Sequence, residues 1–315
     1  MASVKKRLFT GLQPSGTLHI GNYFGALKPF ADLYESYDSM LMVADYHALT
    51  SAPKPEELRQ NIINVVKDYL AAGVDPAKTV IFQQSQVHEH TELAWIFECL
   101  VPVAYLELAH AYKDKVAKGL KANAGLFNYP MLMAADILLY DTDIVPVGQD
   151  QKQHVEYARE AAAKFNIAYG ETFIEPKDKI LEGVGVVPGT DGQKMSKSYK
   201  NTIPLFGTKD EIAKAVMGIV TDSSGELPKN VYAIHRLFRS EAELASLYDS
   251  HKGNYKALKE ALIEDIEALV APMCAKRDSL DDRDVKRVLD DGSEKARAMA
   301  ESKMKLVREK IGITL

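Results

Sequence analysis

Lys194-Met195-Ser196-Lys197-Ser198 places two cations and two hydroxyls within five residues, inside the turn-rich stretch PGTDGQKMSKSYKNT. A loop of that make-up can lay cations on a polyphosphate and add hydroxyl hydrogen bonds. Far upstream, QPSGTLHIGN runs from Gln13 to Asn22. Gln13-Pro14-Ser15-Gly16 reads as a tight turn and Gly21-Asn22 as a helix start, where exposed backbone N–H groups suit phosphate oxygens. Gly21 lets a flat ligand lie against the backbone, and His19 can donate a hydrogen bond to a phosphate as charge builds. A third feature is Asp136, which interrupts the apolar run from Met131 to Leu139. A buried carboxylate is costly unless something donates to it. Either a neighbouring backbone group or lysine satisfies it, or it waits for a donor on a ligand.

Holding these residues in place requires a frame, and the hydrophobic pattern supplies alternating strands and helices. RLFTGL (Arg7 to Leu12) predicts a strand, followed by a helix from about Gly21-Asn22 through YFGALKPFADLYESY, kinked at Pro29. SMLMVADYHAL and KTVIFQQS read as buried strands, being apolar runs bounded by turn residues. Between them Pro55 opens a helix that sets Leu58, Ile62, Val65, Val66, Tyr69 and Leu70 on one face. From His88 to Tyr112 the pattern is helical, and a lysine- and glycine-bearing loop follows. NYPMLMAADILLYD predicts an apolar helix, DIVPVG a strand and DQKQHVEYAREAAAKF another helix. Such alternation predicts an α/β fold, a Rossmann-like doubly wound parallel sheet over residues 1–206. Its ligands belong at the carboxyl ends of the strands.

After Pro204 the pattern turns helical, with Thr208-Lys209-Asp210-Glu211 as a capping box, and residues 207–293 read as a C-terminal α-helical domain. The 315 residues are 46% hydrophobic and 26% charged, enough for a sizeable core in an ordinary globular chain. No apolar run approaches the ~20 residues that span a bilayer, and the first motif comes too early for a targeting segment. Cys99 and Cys274 lie far apart without ligand spacing, which argues against a disulfide framework or structural zinc and for a reducing, cytoplasmic setting. The net charge is −5, and residues 207–315 hold 19 Lys and Arg against 20 Asp and Glu. Attraction of a polyanion must therefore be local. Arg236, Arg239, Lys276, Arg277, Arg283, Lys286 and Arg287 are candidates for a nucleic-acid backbone, or else a solvated helical face. No metal site is expected: His88-Glu89-His90 lacks the same-face geometry of a ligand pair and reads as a surface loop. His47 closes a strand, where it either lines a pocket or is structural.

The two loop motifs together resemble the paired signatures of class I aminoacyl-tRNA synthetases, written HIGH and KMSKS. Asn22 stands where the motif has its second histidine, which is typical of the tryptophanyl branch. GQDQKQH (Gly148 to His154) and YPMLMAADILLYDTDIVPV (Tyr129 to Val147) are similar to that branch's ribose-binding and substrate-pocket segments. The likeness runs from about Arg7 to Ser198 at motif level and more loosely through the tail. It implies that Lys194 and Lys197 contact the triphosphate and stabilise the departing pyrophosphate, with His19 and Lys115 as further catalytic residues. Lys115 reads equally well as a solvated loop lysine. ATP, with Mg2+, would lie on Gln13, Pro14, Ser15, Gly21, Asn22, Gly148, Gln149, Asp150, Val187 and the loop of Lys194, Met195, Ser196, Lys197 and Ser198. The glycines and Asp191 ahead of that loop would keep it mobile.

The same resemblance implies a tryptophan pocket in which Asp136 accepts the indole N–H. Met133, Val145 and Val147 would sandwich the ring, Tyr129 and Gln151 would hold the α-amino group, and His47 would stand nearby. Phenylalanine would leave Asp136 without a partner, a situation that can separate substrates by roughly 10⁴–10⁵. Also implied are tRNA(Trp) as partner, anticodon binding by residues 207–293, and a homodimer through a helical insertion near 85–130. A helix over 294–315 would pack back on the first domain. Three alternatives stand beside this reading: a tyrosyl-tRNA synthetase, a nucleotidyltransferase of the HIGH type acting without RNA, and a non-enzymatic RNA-binding relative.

Overall fold

The computed structural model describes residues 5–117, 119, 122–147, 152–180, 187–221 and 227–314. Five strands, β1 (Arg7–Leu12), β2 (Asp38–Val43), β3 (Thr79–Gln83), β4 (Ile144–Val147) and β5 (Lys177–Ile180), form one sheet in the order β3-β2-β1-β4-β5. Every pairing is parallel. The order reverses between β1 and β4, so the crevice of this Rossmann-like sheet opens beyond Leu12 and Val147. Side chains alternate as a period of two demands. Leu8, Leu41, Val43 and Ile81 enter one core, and Phe9, Met40, Met42 and Phe82 the other.

Helices cover both faces. The first half carries α1 (Ile20–Asn22), α2 (Lys28–Leu33), α3 (Asp45–Ala48), α4 (Pro55–Ala71), α5 (Glu89–Glu98), α6 (Val103–Leu106), α7 (His110–Ala117), α8 (Ala124–Leu138) and α9 (Lys152–Tyr169). The tail carries α10 (Lys209–Met217), α11 (Lys229–His235), α12 (Glu241–Ser250), α13 (Tyr255–Asp278) and α14 (Asp282–Ile311). The capping box of Thr208 and Glu211 opens α10 as read from sequence. Among the described residues no helix is long and apolar enough to cross a membrane.

Some local expectations change. The single helical stretch from His88 to Tyr112 is three helices; the first break falls at Pro102, which cannot donate to a helix and pushes its predecessor out of the helical region. Instead of a kink, a π turn over Tyr23–Leu27 precedes α2, with Lys28 N–H bonded to Tyr23 O, which relieves the approach of Pro29. β2 ends at Val43, and Asp45-Tyr46-His47 belong to the one-turn helix α3. β5 was not expected: Lys177-Asp178-Lys179 lacks an apolar run, as suits an edge strand.

α14 crosses the other edge. Its Val285 and Leu289 lie in one core and its Ala296, Ala300, Met304 and Val307 in the other. At the crossing, a Cβ on Gly292 would sit 1.8 Å from the carbonyl oxygen of Ile81 in β3. Only glycine allows that approach. Ser293 Oγ, next in the helix, accepts the Gln83 N–H at 3.3 Å. Farther along, Arg297 donates to Gln86 O and Lys303 pairs with Asp141 at 2.5 Å. The helix is continuous through residue 294, so no break marks the boundary expected there.

Candidate active site

β1 delivers the first signature. Ser15 N–H bonds to Gln13 O at 2.9 Å, and Gly16 takes a φ of +88°, closing the turn. His19 and Asn22 cap each other: His19 Nδ1 accepts the Asn22 N–H at 3.2 Å, and Asn22 Oδ1 accepts the His19 N–H at 3.1 Å. Burial, and then the nearby charge of Lys197, lower the His19 pKa to about 4. The ring is thus neutral near pH 7 with Nδ1 as acceptor, so its proton sits on Nε2 and that nitrogen is a donor. A Cβ on Gly21 would come within 2.8 Å of His19 Nδ1 and 3.2 Å of Met195 Cβ.

The second signature is stitched to the first. Ile20 N–H bonds to Ile203 O and Leu205 N–H to Leu18 O, each at 3.0 Å, so the strands leaving and entering the two loops run side by side. Lys197 Nζ donates to Ser15 O at 2.7 Å, and Met195 is buried in the core with Val187. The stretch expected to be slack is a clasped hairpin. Pro188 pairs with Lys194, Met195 N–H bonds to Val187 O at 2.8 Å, and Gly192 turns at φ +82°. Asn201, which sequence reasoning missed, is the clasp. Its buried amide accepts the Ser196 N–H at 2.8 Å and donates to Asp191 Oδ1 at 2.7 Å and Lys194 O at 3.1 Å. Ser196 and Ser198 share a hydroxyl hydrogen bond at 2.8 Å.

Asp136 is 1% exposed and far from isolated. Gln84 Nε2 donates to Oδ1 and His47 Nε2 meets Oδ2, both at 2.8 Å. His90 Nδ1 lies 2.6 Å from Oδ1, a charge contact bent away from the ideal hydrogen-bond axis. Burial pushes the carboxyl pKa up. The His47 hydrogen bond and the nearby charges of His90 and His47 outweigh it and bring the value down to about 2. Two expectations are corrected here. His90 is no surface-loop residue: it is fully buried on α5. And a substrate without an N–H would not leave Asp136 unpartnered, because the scaffold already supplies donors.

Tyr129, Met133 and Asp136 share one face of α8, three and four residues apart. The Tyr129 hydroxyl meets His154 Nε2 at 3.0 Å, and its ring lies edge-on to His47 at 6.3 Å. Val145 and Val147 point from β4 into the same core as Met133. Gly148, Gln149, Asp150 and Gln151 lie outside the described residues, as does the side chain of Lys115, whose backbone is in α7.

Residues 2–281 match the sequence model of the tRNA synthetases class I (W and Y). A tryptophan–tRNA ligase of Fusobacterium nucleatum is 50% identical, with 98% of each chain covered. One from Rhodopirellula baltica is 47% identical over 98% of this chain and 99% of its own. A crystal structure of the Campylobacter jejuni tryptophanyl-tRNA synthetase, complexed with ADP and tryptophan, superposes with a TM-score of 0.90. It is 46% identical and covers 97% of this chain and 99% of its own. The chain belongs to the tryptophanyl-tRNA synthetase family.

In the tail of this tryptophanyl-tRNA synthetase, most of the basic residues singled out are engaged by acids. Arg236 pairs with Glu241 at 2.9 Å, Arg283 with Asp281 at 2.7 Å, and Arg287 with Asp284. Arg239 grips Asp265, which also meets His235, and Arg277 holds the buried Asp68 at 2.6 Å. Lys276 and Lys286 are exposed. The helices therefore offer a nucleic acid mixed charge rather than a basic stripe.

Proposed function

We propose that this tryptophan–tRNA ligase uses the stitched loops for ATP and the α8–β4 face for tryptophan. The tryptophan carboxylate attacks the α-phosphorus of Mg·ATP, the bond to the β-phosphate oxygen breaks, and pyrophosphate leaves. A terminal ribose hydroxyl of tRNA(Trp) then takes the acyl group. The observation that supports this reading best is the bond from Lys197 to Ser15 O, which ties the cationic loop to the turn after β1.

In this reading His19 donates through Nε2, and Lys194 and Lys197 stabilise the pyrophosphate charge, with Lys115 as a further contact. Gln13, Pro14, Ser15, Gly21, Asn22, Val187, Met195, Ser196 and Ser198 shape the nucleotide site, and Gly148, Gln149 and Asp150 complete it. No residue acts as covalent nucleophile; positioning and charge supply the rate. Among the described residues no cluster of three His, Cys, Asp or Glu could hold a metal ion. Magnesium arrives with the substrate, on the triphosphate oxygens.

Oδ2 of Asp136 has one donor from the protein, and a carboxylate offers about four acceptor positions. That leaves room for the indole N–H, with Met133, Val145 and Val147 around the ring, Tyr129 and Gln151 on the α-amino group and His47 lining the pocket. Residues 207–293 bind the anticodon arm, and the enzyme works in the cytoplasm as a homodimer through the helical insertion near residues 85–130. There Trp95 is 67% and Val103 63% exposed, an apolar surface of the kind partners cover. ATP–pyrophosphate exchange with tryptophan, tyrosine and phenylalanine side by side tests the reading. Tryptophan is expected to support exchange; a preference for tyrosine, or no exchange with any of the three, overturns it.

A further inference from the structure

We propose that His90, set by Tyr140 and assisted by Gln84, is a positioning residue that fixes Oδ1 of Asp136 and so leaves Oδ2 as the oxygen that meets the substrate. This rests on the reading that Asp136 accepts the indole N–H.

Tyr140 is 1% exposed, and its ring stacks on Phe9 at 5.7 Å. Burial raises its pKa well above the usual value, so it remains a phenol with a proton to give. Its hydroxyl lies 2.8 Å from His90 Nε2. When the phenol donates to Nε2, the proton of a neutral imidazole must sit on Nδ1, the nitrogen 2.6 Å from Asp136 Oδ1. The opposite tautomer would set a lone pair against the carboxylate, and an imidazolium would carry a proton on Nδ1 as well. Phe82 stacks on the His90 ring at 6.0 Å and 24°, which limits its rotation.

Gln84 is oriented with equal economy. Its Oε1 accepts the Tyr46 N–H at 3.1 Å, so the amide nitrogen faces the other way and donates to Oδ1. Oδ1 thus has the Gln84 hydrogen bond and the 2.6 Å contact of His90, both from side chains that are 0% exposed, one next to β3 and one on α5. The partner on Oδ2 is His47, from the turn after β2, whose ring meets Tyr129 on the tryptophan side. One oxygen is therefore anchored in the core and the other is turned toward the pocket.

Exchange assays on the full chain with tryptophan and phenylalanine test this. His90→Leu is expected to raise KM for tryptophan about 10- to 100-fold, the order of a lost polar contact to a buried charge. KM for ATP and kcat at saturating tryptophan should stay within about threefold, since the nucleotide loops are untouched. His90→Asn, whose amide N–H can stand near the Nδ1 position, should recover most of the loss. Tyr140→Phe, which removes one oxygen and keeps the ring, should raise the same KM about 3- to 10-fold by freeing the tautomer. It carries the test if His90→Leu does not fold. An unchanged tryptophan KM in the folded variants, or a parallel loss of kcat and ATP affinity, overturns the proposal. Asp136→Asn separates the two ideas. If it leaves tryptophan KM and the preference over phenylalanine unchanged, the indole reading itself fails. If it shifts both while His90→Leu and Tyr140→Phe do not, only the positioning role fails.

Discussion

His19 can accept a second proton only at a cost, because burial and the Lys197 charge oppose it. Between about pH 6.5 and 4 the unfolded chain binds a proton that the folded chain refuses, so stability falls as pH drops through that window. Melting temperature should decline there, and His19→Gln should show a shallower decline; parallel slopes would assign the loss to other groups. At Asp136 the scaffold donors Gln84 and His47, with His90 in contact beside them, change the arithmetic of selectivity. One lost hydrogen bond to a charged acceptor is worth about 1.5–3 kcal/mol, or roughly one to two orders of magnitude. The remaining discrimination against phenylalanine belongs to the fit of the ring. Asp136→Asn should therefore lower the tryptophan-over-phenylalanine ratio of kcat/KM by about 10- to 100-fold. A drop of four orders would restore the picture of an unpartnered carboxylate.

The hairpin before Ser196 is held by one side chain, and its loss should be read at the nucleotide. Asn201→Ala removes three hydrogen bonds from the loop, so kcat/KM for ATP should fall at least about tenfold while KM for tryptophan changes little. Equal effects on both substrates would argue against a local clasp. The loops themselves were legible because glycines, lysines and hydroxyls at fixed spacing announce their chemistry locally. The strands were legible where both faces are buried, as in β2 and β3, and not in β5, whose charged residues carry no alternation. Asn201 and Gln84 were not legible, since their partners are set by tertiary contact alone. His90 does carry a local signal: with Leu93, Ala94 and Phe97 it repeats at helical spacing on one buried face, which places it inside.

At the scale of the molecule, Arg277 of α13 reaches the buried Asp68 of α4, joining the helical tail to the sheet half. Breaking such a pair from one side strands a charge, so Arg277→Leu should cost about 3–5 kcal/mol in urea unfolding near pH 8. Burial, working against the hydrogen bond and charge of Arg277, raises the Asp68 pKa to about 6. The penalty should therefore shrink as the pH falls and Asp68 takes a proton, and Asp68→Asn in the same chain should recover part of it. A loss that is independent of pH would point to packing instead. α14 joins the halves in a second way, over the flank of β3, where Gly292 touches Ile81. Synthesis runs from the amino end, so the whole nucleotide-binding sheet has left the ribosome before residues 282–311 arrive to seal that flank. Until then a row of unpaired amides stands open to any sister chain on the same messenger, and the final helix doubles as the seal that ends this vulnerable interval.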